Sequence, residues 1–240
     1  MSPVFVAFGA SHIAVLVLTA VVPVALALLV RRVRSAKVAR AISLAFAIQL
    51  IATWIAWYWL LAEQGWVSPQ TILPMDLCDW STIATLGTLI WPNQRTYELA
   101  YFWALSGTLQ ALVTPELFYN FPDLRFVIFF AFHGGTVAAV LFLTLARGMR
   151  PYPLSLPRVA LWSLIYLGSA LAVNRLFATN FGFLSAKPAK PSLLDLMGPW
   201  PVYIGELAIL GIFYLLLLYA PFFVADRLKK PAVVEKGLHI

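Results

Sequence analysis

A chain of 240 residues that is 62% hydrophobic and only 11% charged, with a mean hydropathy of +0.85, stands far from soluble globular domains, which carry about 25% charged residues. At about 20 apolar residues per crossing, the length fits six to eight transmembrane helices, so that one bundle fills the chain. The net charge of +7 would point to nucleic acid in a soluble protein, but membrane topology accounts for most of the basic residues here, and no nucleic-acid partner is expected.

Seven apolar segments follow one another at 11–30, 41–61, 77–91, 97–114, 126–146, 159–178 and 202–224, each long enough or nearly long enough to cross. The expected fold is therefore all-α, a polytopic bundle of seven transmembrane helices spanning residues 1–224. A short basic tail, 225–240, suits the anionic inner leaflet. The first segment is followed by the basic cluster Arg31, Arg32, Arg34, Lys37 and Arg40 rather than by a small-residue cleavage site, so no removable signal peptide is expected. The third segment, LCDWSTIATLGTLIW, is short and carries Ser81, Thr82, Thr85 and Thr88. A polar stripe of that kind belongs inside a bundle, away from lipid.

Orientation follows from the alternate loops. One side collects Arg31, Arg32, Arg34, Lys37, Arg40, Arg95, Arg147, Arg150, Arg158, Arg227, Lys229, Lys230 and Lys236, which is 13 of the 17 basic residues; the other holds Arg125, Arg175, Lys187 and Lys190. That split puts the N-terminus outside and the C-terminus in the cytoplasm. Glu63, Asp76, Asp79, Glu116, Asp123, Asp195 and Glu206 gather at or near the outer ends, as do the connections 114–126 and 180–203, whose Pro, aromatic and Asn content marks structured lids rather than floppy linkers.

The lone cysteine, Cys78, sits in LPMDLCDWST between Asp76 and Asp79. It excludes a disulfide within the chain and any multi-cysteine metal site. His12, His133 and His239, the last in the tail, do not make a three-histidine zinc centre, and no metal is expected. Pro74 is suited to the first turn of a helix, which would put Cys78 near the N-terminal end of the third span, where the dipole and unpaired amides favour an anion. The aspartates act against thiolate formation, so a base is required. His133 lies eight residues past Arg125 in the fifth span, about 12 Å along a helix that also enters from outside, and so shares the outer half of the membrane with Cys78. A cysteine and a histidine with a carboxylate or amide behind them form the arrangement of an activated nucleophile. The plain alternatives are a cysteine that packs as a small hydrophobe, a histidine that bonds between helices, and aspartates that complement a helix N-terminus.

The runs LPMDLCDWS, YELAYFWALSGTLQALVTPEL (97–117), FPDLRFVIFFAFHG (121–134) and NFGFLSAKPAKPSLLDLMGPWPVYI (180–204) together resemble the YwaF-like family of bacterial integral membrane proteins, itself similar to an animal transmembrane lipid acyltransferase of the TMEM type. The resemblance covers roughly residues 70–205 with order and spacing kept. It implies transfer of a fatty acyl chain between phospholipids through a cysteine and a histidine, which fall on Cys78 and His133. The bacterial pattern reads LPLHLC, with histidine where this chain has Asp76.

On this reading the protein is a cell-membrane acyltransferase with its active site toward the extracytoplasmic leaflet. His133 deprotonates Cys78, a thioester forms on Cys78, and a lysophospholipid takes the acyl chain in a second step. Asp76 or Asp79 orients the imidazole. Arg125 and Lys187 are the natural phosphate partners, with Glu116, Asn120, Asn180 and Asp195 as further candidates around the lipid head group. The chemistry calls for no cofactor. With water as acceptor the same site is a phospholipase. The competing class is a non-enzymatic transporter or scaffold for lipids or small solutes, against which the lack of an internal repeat argues.

Overall fold

The computed structural model describes residues 3–189 and 192–228, which leaves Lys190 and the tail beyond Leu228 outside the described residues. Its helices are α1 (Ala10–Val33), α2 (Ala36–Gln64), the short α3 (Pro69–Ile72), α4 (Leu77–Ile90), α5 (Gln94–Trp103), α6 (Leu109–Val113), α7 (Leu124–Arg147), α8 (Ser155–Phe177) and α9 (Val202–Leu228). A π turn, Ala104–Thr108, joins α5 to α6. The described residues are all-α apart from a single bridged pair, Val4 and Tyr119. Five helices, α1, α2, α7, α8 and α9, are long and apolar enough to cross a membrane. The remaining two expected segments appear as α4, only 14 residues long, and as the interrupted helix of α5, π turn and α6.

The bundle is built around α7, which packs against α1, α2, α4 and the π turn. This helix is the most buried of the long helices, and it contributes Phe126, Phe130, Val137, Ala139 and Val140 to the central core. Small residues let its neighbours approach. The imagined Cβ of Gly135 would stand 2.4 Å from Gln49 Oε1 of α2, and Gln49 Nε2 donates to the Ala131 carbonyl one turn away at 2.9 Å. Gly135→Val is therefore expected to push α2 off α7 and break that bond, lowering the thermal midpoint of the purified protein by several degrees, since overpacking costs about 1–3 kcal/mol.

The stripe of α4 turns inward as its composition predicts: Ser81, Thr82, Thr85 and Thr88 are fully buried. Thr82, Thr85 and Thr88 satisfy their hydroxyls on the carbonyls four residues back, Cys78, Ser81 and Ala84, the usual solution for a hydroxyl within a helix where water is lacking. His12 is also fully buried. Its Nδ1 accepts from Phe8 N at 2.9 Å and its Nε2 donates to the Leu112 carbonyl at 2.7 Å, tying the start of α1 to the end of α6.

At the opposite ends of these helices the basic residues cap carbonyls and pair with acids. Arg31 donates to Leu145 O and Arg40 to Leu89 O, each at the C-terminal end of a helix, where the dipole favours a cation. Arg150 forks onto Asp226, and Arg158 donates to the buried Glu98. An open groove of about 410 Å³ lined by Arg34, Arg40 and Arg147 lies there, at the end of the bundle remote from Cys78.

Candidate functional site

The first turn of α4 is held from three directions. Asp76 is its N-cap, and Asp79, three residues on, bonds back to it in a capping box, with Asp76 N donating to Asp79 Oδ2 at 3.0 Å. This arrangement satisfies helix-end donors reciprocally. Pro74 accordingly lies outside the helix, in the extended link before the cap, because the reciprocal side-chain bonds of Asp76 and Asp79 set the starting residue. The second restraint is Asp76 Oδ1, which accepts from Gly182 N at 2.9 Å. Burial pushes the Asp76 carboxyl above its ordinary pKa, and the Gly182 bond partly offsets this.

Gly182 is delivered by α8. Asn174, buried near the end of that helix, donates to Phe181 O and accepts from Phe181 N and the Thr179 hydroxyl, which fixes the turn Phe181–Phe183. Gly182 has a φ of +63°, and a Cβ there would stand 2.7 Å from the Tyr166 hydroxyl, so glycine is required on both counts. The third restraint is close contact with the π turn: a Cβ on Gly107 would meet Leu77 Cδ2 at 2.8 Å. The π turn thereby comes against the start of α4 and brings Thr108 beside the Cys78 thiol. Single π turns of this kind recur at functional sites.

His133 lies on α7 with its ring stacked on Phe129, centroids 4.2 Å apart at 27°, and edge-on to Phe132. Its Nδ1 is 2.9 Å from the Phe129 carbonyl. A carbonyl only accepts, so Nδ1 carries the proton and the lone pair is on Nε2. Among the described residues, no hydrogen bond joins Nε2 to a partner and none joins the imidazole to Cys78.

Depth relates the two residues. Thr82 Oγ1 and Thr136 Oγ1 meet at 2.8 Å between α4 and α7. Cys78 is four residues before Thr82 and His133 three before Thr136, so they stand about 6 and about 4.5 Å above that contact. Around the helix axis they lie about 40° and 60° from the contacting positions. The two parallel helices therefore carry Cys78 and His133 at one level, on faces turned toward the shared seam. Residues 75–80, 105–107 and 131–133 are all half-buried, whereas Ser81, Thr82, Thr108 and Thr136 are buried. The residues at the level of the thiol thus keep some exposure, while those just below it are buried.

The other expected residues occupy the surrounding loops. Arg125 is bound bidentately to Asp123, at 2.7 and 2.6 Å, and its guanidinium lies 3.2 Å from the centroid of the Tyr119 ring. Asn120 accepts from the Ser11 hydroxyl and from Phe121 N, Glu116 from Ala189 N, and Asp195 from Ser192 N within a capping box. Asn180 organises its own loop through Ser185 N, Ala186 N and Ala186 O. Lys187 donates to Met197 O at 2.8 Å. With Trp200 Nε1 on Leu184 O and the Tyr203 hydroxyl on Phe183 O, the described parts of 180–203 form a bonded lid over the end of α8. Two residues that composition and spacing did not single out lie at the start of α4, Thr108 beside the Cys78 thiol and Tyr166 at Leu77, next to it in the chain. Both belong to segments whose apolar pattern marks them only as helical.

A family model described as the TMEM164 family matches residues 7–219. No match was found among curated proteins or among solved structures.

Proposed function

Because the chain belongs to the TMEM164 family, and so is a multi-pass membrane protein, we propose that it is a phospholipid acyltransferase whose covalent intermediate is a thioester on Cys78, with His133 as general acid and base. The observation that carries this reading is the Thr82–Thr136 bond, which sets the thiol and the imidazole at the same depth on adjoining helices.

In this reading α4 and the α5–α6 helix are the third and fourth crossings, giving seven spans in one transmembrane unit, with the N-terminus outside and the basic tail in the cytoplasm. The half-open end of α4 then faces the outer leaflet. His133 already has the tautomer that the reaction needs, with Nδ1 held by Phe129 O and Nε2 available as base. A modest closing of α4 on α7 when lipid enters brings Sγ to Nε2, as catalytic hydrogen bonds often tighten only once substrate is bound. Asp76 and Asp79 keep the thiol at the helix N-terminus and contribute to orientation there. Arg125 and Lys187, from the loops above, serve the head-group phosphate, Arg125 exchanging Asp123 for it. Glu116, Asn120, Asn180 and Asp195 shape the loops that receive the head group.

The test is to reconstitute the protein in vesicles with a phosphatidylcholine bearing a deuterated acyl chain and an unlabelled lysophosphatidylethanolamine, and to follow products by mass spectrometry. Deuterated phosphatidylethanolamine is the expected product. Deuterated free fatty acid alone would identify a phospholipase using the same site. Lipid crossing the bilayer with no acyl exchange would replace the enzyme with a transporter.

A further inference from the structure

Hydroxyls buried or half-buried in this bundle have a consistent solution. Thr82, Thr85, Thr88, Ser106, Thr136 and Thr144 all donate to the carbonyl four residues earlier. Two hydroxyls at the start of α4 depart from it. Thr108 Oγ1 and Tyr166 OH are buried and make no hydrogen bond of good geometry among the described residues, although Thr108 Oγ1 lies toward the Cys78 thiol and Tyr166 OH toward Leu77 N. For Thr108 the reason lies in the backbone. At the π turn the carbonyl of Ala104, four residues back, receives Leu109 N, five residues on, so the regular α geometry in which the other hydroxyls reach back is distorted there. For Tyr166 the hydroxyl is lodged between Gly182 and the start of α4 near Asp76, Cys78 and Asp79. Its ring is fixed edge-on to Trp80 at 5.5 Å, and the residue is 7% exposed. A third orphan, Ser81 Oγ, lies one turn deeper along α4 and is left out of the assignment.

An unpartnered hydroxyl buried in a membrane protein is costly to keep, and such groups mark places where an acceptor arrives from elsewhere. Here both orphans come from outside α4, on the π turn and on α8, and flank its one thiol. An acyl carbonyl under attack by Cys78 is an acceptor that gains negative charge as the bond forms, and fixed donors there act on the transition state more than on the resting ester.

Building on the acyl-transfer reading above, we propose that Thr108 Oγ1 and Tyr166 OH are the oxyanion donors of this site. The thiol proton passes to His133 Nε2 as Sγ adds to the ester carbonyl carbon. The C=O π pair moves onto oxygen, where the two hydroxyls donate to it. Collapse restores C=O and breaks the bond to the lysolipid oxygen, which takes the proton from His133. Deacylation by the second lipid hydroxyl passes through an equivalent tetrahedral species and uses the same donors. The fold makes sense of their placement: the π turn frees Thr108, and Gly182 leaves the space that the Tyr166 hydroxyl occupies.

The experiment uses the full chain in vesicles, with the deuterated phosphatidylcholine and lysophosphatidylethanolamine probe. Thr108→Val and Tyr166→Phe remove the hydroxyls with little change of shape, and each is expected to slow deuterated-acyl transfer by about 10²-fold. Alkylation of Cys78 by iodoacetamide, which forms no oxyanion, should stay within about twofold of wild type in Tyr166→Phe and fall less than transfer in Thr108→Val, and Thr108→Ser should restore transfer. Transfer at the wild-type rate in both variants would overturn the assignment while leaving the Cys78 mechanism standing. Equal losses of transfer and alkylation would make the residues structural and overturn it too. No transfer in wild type would remove the parent reading, and this one with it.

Discussion

Cys78→Ser is expected to reduce acyl transfer by about 10³-fold or more while leaving a folded bundle. The size of the loss follows from the role: without a thiolate there is no covalent intermediate, and an alcohol is a far weaker nucleophile at neutral pH. Little of the fold depends on the sulfur. Cys78 is half-buried, its carbonyl rather than its side chain anchors Thr82, and the cap of α4 is made by Asp76 and Asp79. Serine preserves the backbone and nearly the volume, so the thermal midpoint should move by only a few degrees. Product analysis by mass spectrometry, with a melting curve on the same sample, separates loss of chemistry from loss of structure. A variant that retains transfer would remove the thiol from the reaction.

His133→Ala is expected to be the next most damaging change. General acid–base catalysis contributes about 10²–10⁴-fold, and a group serving in both half-reactions falls toward the upper part of that range. The pair acts as one unit, so Cys78→Ser combined with His133→Ala should be scarcely slower than Cys78→Ser alone. Loss of the Phe129 stack also carries a packing penalty, and His133→Gln, which retains a donor for the Phe129 carbonyl without the basic nitrogen, distinguishes the two effects. It should keep the melting temperature closer to wild type and still fail to transfer.

Much of this arrangement could be read from local pattern. The hydroxyl stripe of α4 identifies a buried face because Ser and Thr have no reason to meet lipid, and the depth of His133 follows from its distance along a helix that begins near Arg125. Asp76 and Asp79 carry the S/T/D-x-x-acid spacing of a helix start, and they place that start later than Pro74 alone suggests. Hydropathy locates the apolar runs, and it gives the short third one at 77–91, where α4 spans Leu77–Ile90, but it cannot say that the fourth is interrupted by a π turn at Ala104–Thr108. The partners of the thiol were out of reach for a different reason. Thr108 becomes an orphan only through a π turn, which depends on Gly107 meeting Leu77, and Tyr166 reaches α4 only because Asn174 and Gly182 shape the end of α8. These are tertiary effects with no periodic signature. Likewise Arg125 reads as a phosphate ligand in isolation, while the fold gives it Asp123 and Tyr119 as resting partners.

The most direct measurement is peptide-level mass spectrometry of wild-type protein quenched during turnover of the deuterated phosphatidylcholine. The account predicts a deuterated acyl group on the peptide containing Cys78, released by hydroxylamine as a thioester and absent from His133→Ala quenched at the same early time. Acyl transfer proceeding while Cys78 remains unmodified, or with the label on another residue, would contradict it.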